Sequence, residues 1–170
     1  MIARILVLFC LIFSFAPMAF AQAKIGTVDF QRAINEVAEG KAAKTRLEAM
    51  YAEKKTALDR MQANLAQKQQ DYQKQAVVLS ESARKAKEDE MNNDLMALQQ
   101  AYQRYEGEFN QAYMGAMDTL LQKMRKIAET IGQERGYTLV IEVTEGGVVY
   151  ASSTVDITDE LIKRYNAQNP

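Results

Sequence analysis

Glu88, Asp89 and Glu90 form the densest run of chemically competent side chains in the sequence. Clustered carboxylates can move a proton or hold a hard cation when they converge on one point. On a helix, successive residues point about 100° apart, so these three fall on different faces and read as a solvated surface. Glu145-Gly146-Gly147 is a turn and not a phosphate-cradling loop. Histidine is absent, which removes the commonest general base and metal ligand. The one cysteine, Cys10, could suggest a lipid attachment site, but it sits inside an apolar run behind bulky Phe9. No spacing of ligands suits a metal. The expectation is a protein that is not an enzyme, with no catalytic residue, cofactor or metal.

The chemistry left is adhesion through apolar surface. In the polar stretch KQAVVLSESARKAKEDE (74–90), Val77, Val78 and Leu79 stand together and are followed at once by Ser80 and Ser82. Ser80 suits an N-cap, with Glu81 in the first turn where a negative charge complements the helix dipole. Ser82 is the alternative cap. The three apolar residues then sit where one helix ends and the next begins. They either close the end of a helix seam or form an exposed tip that touches something else.

Those residues need elements to position them. Arg4, an apolar run from Ile5 to Phe15, and Ala19-Phe20-Ala21 have the layout of a secretory signal peptide, expected over 1–21 with cleavage after Ala21 or alternatively Ala23. The mature chain would be exported, soluble and without cysteine, so disulfides could not stabilise it. Its net charge is −1 with Arg4 counted, which gives no global basic field for nucleic acid. The two prolines, Pro17 and Pro170, leave the body free of helix breakers, and its middle is rich in strong helix formers.

Tyr51, Leu58, Leu65, Tyr72 and Leu79 recur every seven residues, while the companion positions Lys54, Lys68 and Gln75 are polar. That stripe is wide enough to face one partner helix. Met91, Leu95, Leu98, Tyr102, Tyr105 and Phe109 continue it more strongly, and the pattern then drifts by one residue towards Ile131. Two complementary stripes predict an antiparallel helical hairpin over 41–131 with its tip near 76–83, each arm about 60 Å long. The first arm is biased basic and the second acidic, which suits pairing. Gly107 lies mid-arm and is a candidate hinge; close packing against a neighbour is the alternative.

Residues 22–40 and 132–170 make a small head. KIGTV (24–28) and YTLVIEV (137–143) read as strands, TEGG as a hairpin loop and VVYAS as a third strand. Gly136 is placed as a C-cap, and DITDELIKRY gives a terminal helix. Ile25, Val28, Leu139, Ile141, Val143 and Val149 are the candidates for head core or subunit interface. The fold class is therefore α+β: a small β-rich oligomerisation head with a long helical hairpin inserted between its strands. So small a head has a marginal core, and without disulfides or metals it is expected to oligomerise.

KIGTVDFQRAINEVAEGKAAKTRLE and ERGYTLVIEV…GGVVYASSTVDITDELIKRYN resemble the two ends of the Skp (OmpH-like) periplasmic chaperones. That resemblance implies a jellyfish-like homotrimer with three helical tentacles around a cavity. It also implies an ATP-independent periplasmic holdase for unfolded outer-membrane β-barrel proteins. Members are markedly basic, whereas this chain has a pI of about 5.6, which leaves contact with lipopolysaccharide or anionic membrane surfaces open. Under this reading Tyr72, Met91, Met96 and Tyr102, with Val77, Val78 and Leu79, are the client-binding candidates. Met96 alone of the first four lies off the stripe; the others could equally be hairpin core. The rival reading is a periplasmic coiled-coil scaffold that binds folded envelope proteins through its arm tips.

Overall fold

The computed structural model describes residues 23–169, so the expected leader over 1–21 lies outside the described residues. Strand β1 (Ile25–Val28) leads into a short helix α1 (Phe30–Glu36). Helix α2 (Ala38–Gln75) runs outward and α3 (Glu81–Glu134) returns; β2 (Leu139–Glu142), a single 3-10 turn (Ser153–Val155) and α4 (Thr158–Gln168) complete the chain. The strands are parallel, with Ile25 opposite Leu139 and Val28 opposite Glu142. Parallel strands need a crossover, and here the whole helical hairpin serves as one.

Local chemistry explains most boundaries. Asp29 caps α1 by accepting from the Arg32 backbone N–H at 2.7 Å. Val37 adopts an extended conformation (φ −68°, ψ 149°) and breaks the chain between α1 and α2. Just beyond this elbow, a Cβ on Gly40 would stand 1.8 Å from the Ile34 carbonyl oxygen, so only glycine lets α1 and α2 approach this closely. Helix α3 ends in a Schellman motif: Tyr137 N–H donates to Gly132 C=O at 2.9 Å and Gly136 N–H to Gln133 C=O at 3.2 Å, with Gly136 at φ 67°.

The core sits at the root of the hairpin. Ile34 and Val37 meet Leu120, Met124, Ile127 and Ile131 of α3, and Ile157, Leu161 and Tyr165 close the cluster from the α4 side. Leu120, Met124, Ile131, Leu161 and Tyr165 are each 2 % exposed or less. At about 1.5–3 kcal/mol for each large apolar side chain removed from water, this junction fixes arm to head.

One expectation is corrected. The expected third strand does not form: residues 148–152 join no ladder and bend at Val149, and Val149 and Tyr150 are 101 % and 86 % exposed. Gly147 (φ 62°) turns the chain, and Val148 N–H reaches back only to Val143 C=O at 3.0 Å. Beyond that rung none of the described residues covers Val149. The two faces of β2 differ. Val140 packs on the core and would meet a Cβ at Gly132 at 3.4 Å, whereas Leu139 points away and is 51 % exposed. A short strand with apolar residues at both parities leaves alternation undecided until its neighbours are known.

Candidate functional site

The far end of the hairpin is built as its cap requires. Ser80 Oγ accepts from Ala83 N–H at 3.3 Å, and Glu81 occupies the first turn of α3. Opposite it, α2 ends where Ala76 N–H donates to Tyr72 C=O at 2.8 Å and Leu79 N–H to Gln75 C=O at 3.2 Å. The three apolar tip residues divide. Leu79 is half-buried at the end of the seam, while Val77 and Val78 project with 94 % and 84 % exposure.

Below the tip, polar side chains stitch the arms together. Tyr72 Oη donates to Glu88, which pushes the phenol pKa up. Lys68 Nζ reaches Asp94 and Glu90, each at 2.6 Å, and its pKa is raised by those contacts. Lys54 meets Glu108 at 2.9 Å and lies 4.6 Å from the centre of the Tyr105 ring. Two of the three polar interruptions of the first stripe, Lys54 and Lys68, are thus ionic rungs of the seam. Two of the three consecutive carboxylates, Glu88 and Glu90, turn back to α2 instead of forming a merely solvated face.

The arm candidates separate accordingly. Tyr72 and Met91 are half-buried in the seam. Tyr102 remains 44 % exposed although its hydroxyl accepts from Gln62 Nε2 at 2.6 Å. Met96 is 52 % exposed and Leu95 beside it 44 %. A Cβ at Gly107 would meet no atom within 4 Å, so close packing does not explain that glycine.

Sequence reasoning missed a second apolar region nearer the head. Tyr51 and Phe109, assigned to the seam by periodicity, meet edge to face with centroids 6.2 Å apart, yet Tyr51 stays 61 % exposed. Tyr113 and Met114 on α3 are 46 % and 66 % exposed. The available signal was the narrowness of the α2 stripe, which is too thin to cover every large side chain of α3. Between residues 44 and 119 only Leu65, Leu98 and Ala101 are buried. The arm is a thin, incompletely closed seam.

At the root, Glu39 of α2 receives Lys123 Nζ from α3 at 2.7 and 2.8 Å and Tyr165 Oη from α4 at 2.6 Å. These donors hold the Glu39 carboxyl below its ordinary pKa, while burial followed by the Glu39 contact pushes the Tyr165 phenol up. Among the head candidates Val28 is 2 % exposed. Ile141 and Val143 are half-buried, and Ile25 (44 %), Leu139 and Val149 lie open. Among the described residues, no group of three or more His, Cys, Asp or Glu side chains could hold a metal, and no helix is long and apolar enough to cross a membrane.

Comparisons with known proteins agree with this architecture. The family described as outer membrane protein (OmpH-like) matches residues 24–165. The chaperone protein Skp of Yersinia enterocolitica is 24 % identical over 153 residues, covering 88 % of this chain and 90 % of that protein. The crystal structure of a candidate outer membrane chaperone (OmpH-like) from Caulobacter crescentus superposes with a TM-score of 0.78 at 17 % identity, covering 87 % of this chain and 86 % of that one.

Proposed function

The chain belongs to the OmpH-like family, and from that premise we propose that it is a periplasmic, ATP-independent holdase chaperone for unfolded outer-membrane β-barrel proteins. The observation that supports this most is the arm itself. It carries Val77, Val78, Leu95, Met96, Tyr102, Tyr113 and Met114 open along a hairpin that buries almost nothing at its own seam. Such a surface suits many weak contacts. Tyrosine and methionine adapt to varied partners, and each further contact with one tethered client is effectively intramolecular. Release then needs no fuel, because no single contact is strong.

The head supplies the reason for assembly. Ile25 and Leu139 are register partners on the face of the sheet turned away from the helices, and β2 has a free edge. The unpaired segment around Val149 and Tyr150 is exposed. In the proposed homotrimer, this face and this segment cover one another between neighbouring copies, and the three arms then enclose a space.

Native mass spectrometry of the mature protein, alone and after a urea-unfolded barrel is diluted into it, tests both parts. The expected result is a trimer that captures one unfolded client and ignores the same barrel once folded. An oligomer that captures only folded envelope proteins would replace the holdase with the scaffold reading.

A further inference from the structure

We propose that one flank of the root half of the arm is a docking track for an extended segment of an unfolded chain. That segment presents bulky apolar side chains four residues apart, with a carboxylate beside the one nearer the head. The proposal rests on the holdase reading and names the client chemistry that this arm prefers.

Two depressions lie end to end here. The one nearer the head, of about 420 Å³, is lined by Leu47, Tyr113 and Met117, and the outer one, of about 510 Å³, by Leu58, Tyr102 and Tyr105. Tyr51 and Phe109 line both and form the ridge between them. The α2 residues of the two depressions, Gly40 to Tyr51 and Tyr51 to Asp59, are centred roughly ten residues apart, or about 15 Å along a helix. Same-face side chains four apart on an extended strand are separated by about 13 Å. An extended apolar segment laid along the arm therefore drops alternate same-face residues into successive depressions, with the ridge between them.

Charge gives the track a polarity. The outer depression has no spare cation, since its Lys54 pairs with Glu108 at 2.9 Å and its Lys55 with Asp59 at 2.5 Å, and Glu106 adds a further carboxylate. The inner one carries Lys41 and Lys44 against a single carboxylate, Glu48, which approaches Lys44 only at 3.9 Å. Lys41 forms no ion pair among the described residues. Uncompensated positive charge thus sits only at the head-proximal mouth, even though the chain as a whole is slightly acidic. An occupant that adds a carboxylate at that mouth matches both the shape and the charge.

The test is fluorescence anisotropy of the mature protein with fluorescein-labelled, threonine-rich peptides. One carries two Phe four apart with Asp beside one of them, a second has the Phe three apart, and a third has Lys for Asp. The first should bind tightest. Lys41→Glu with Lys44→Glu should weaken it about five- to tenfold and remove the preference for Asp over Lys. Both lysines are exposed, and an unchanged circular-dichroism melt confirms that the fold is intact. Equal affinity for the two Phe spacings, or an unaltered affinity in the double variant, overturns the track. Aggregation of a urea-unfolded barrel, followed alongside, separates the two levels. Suppression by wild type and double variant alike, with no peptide preference, removes the track and keeps the holdase. Failure of the wild type to suppress removes the holdase and the track together.

Discussion

The root contact among Glu39, Lys123 and Tyr165 makes a sharp prediction about what holds the arm to the head. Tyr165→Phe keeps the fully buried ring and removes only the hydroxyl, which donates to Glu39 at 2.6 Å. A hydrogen bond to a charged acceptor contributes about 1.5–3 kcal/mol. Glu39 keeps both Lys123 contacts, and its side chain is 29 % exposed, so the loss belongs at the low end, near 1.5 kcal/mol. For a chain of this size that corresponds to a fall of roughly 3–6 °C in Tm, read by circular dichroism at one fixed protein concentration because assembly would shift the midpoint. Glu39→Gln supplies the pH signature. The Glu39 carboxyl is held below its ordinary value of 4.5 in the folded chain, so its stabilisation is present above that value and is lost as pH falls through the lower folded pKa. The variant should therefore be less stable than wild type at pH 7, and the difference should close in strong acid. Tyr165 runs the opposite way. Its phenol is raised above 10, so wild type should lose stability above pH 10 in a manner that Tyr165→Phe does not. A Tm change below about 1 °C for Tyr165→Phe, or a Glu39→Gln deficit that stays constant from pH 7 into acid, refutes the clamp.

Three further outcomes follow from the arm. Val77→Ser with Val78→Ser should leave the melt within about 0.5 kcal/mol of wild type, because both side chains project into solvent, yet should weaken capture of an unfolded barrel measured by anisotropy. Unchanged capture would mean that the tip is not a contact surface. Gly107→Ala adds a Cβ that meets nothing, so it should stabilise the helix by about 1 kcal/mol and narrow the distance distribution between spin labels placed across the arm; an unaltered distribution removes the hinge. Lys68→Glu should speed hydrogen exchange in the outer third of the hairpin by opposing Glu90 and Asp94, and adding Asp94→Lys should restore part of the protection. Restoration absent in the double variant would show that Lys68 does not face Asp94.

Long-period features of the fold were legible because they are local. The seven-residue spacing from Tyr51 to Leu79, the proline-free middle and the Ser80 cap are sufficient to specify two helices and the turn between them. Helix α1 was not legible: seven residues from Phe30 to Glu36 carry too little periodicity, and the break at Val37 has no glycine or proline to mark it. The parallel pairing of β1 with β2 joins residues more than a hundred positions apart, and nothing in either strand encodes its partner. Which face of β2 turns inward is left open by the sequence for a related reason. YTLVIEV offers apolar residues at both parities, and only the approach of Gly132 to Val140 decides which one turns inward.

The polar rungs of the seam lie between these cases. Lys54, Lys68, Glu90 and Glu108 looked like interruptions and surface charge because their pairing depends on how the two arms align. That alignment, however, follows from the turn. Glu81, the first residue after the cap, is the midpoint in sequence of Lys68 and Asp94, of Lys54 and Glu108, and of Glu39 and Lys123 alike. An antiparallel pair of straight helices with equal rise keeps its midpoint within a residue or two along its length, as Lys68 with Glu90, Tyr72 with Glu88 and Gln62 with Tyr102 also do, so the cap at Ser80 narrows the cross-arm partners down to the root. Tyr51 and Phe109 keep the same alignment, and their rings meet edge to face with Tyr51 still 61 % exposed. An aromatic pair left this open remains available to a guest, while the ionic rungs on either side of it hold the two arms together.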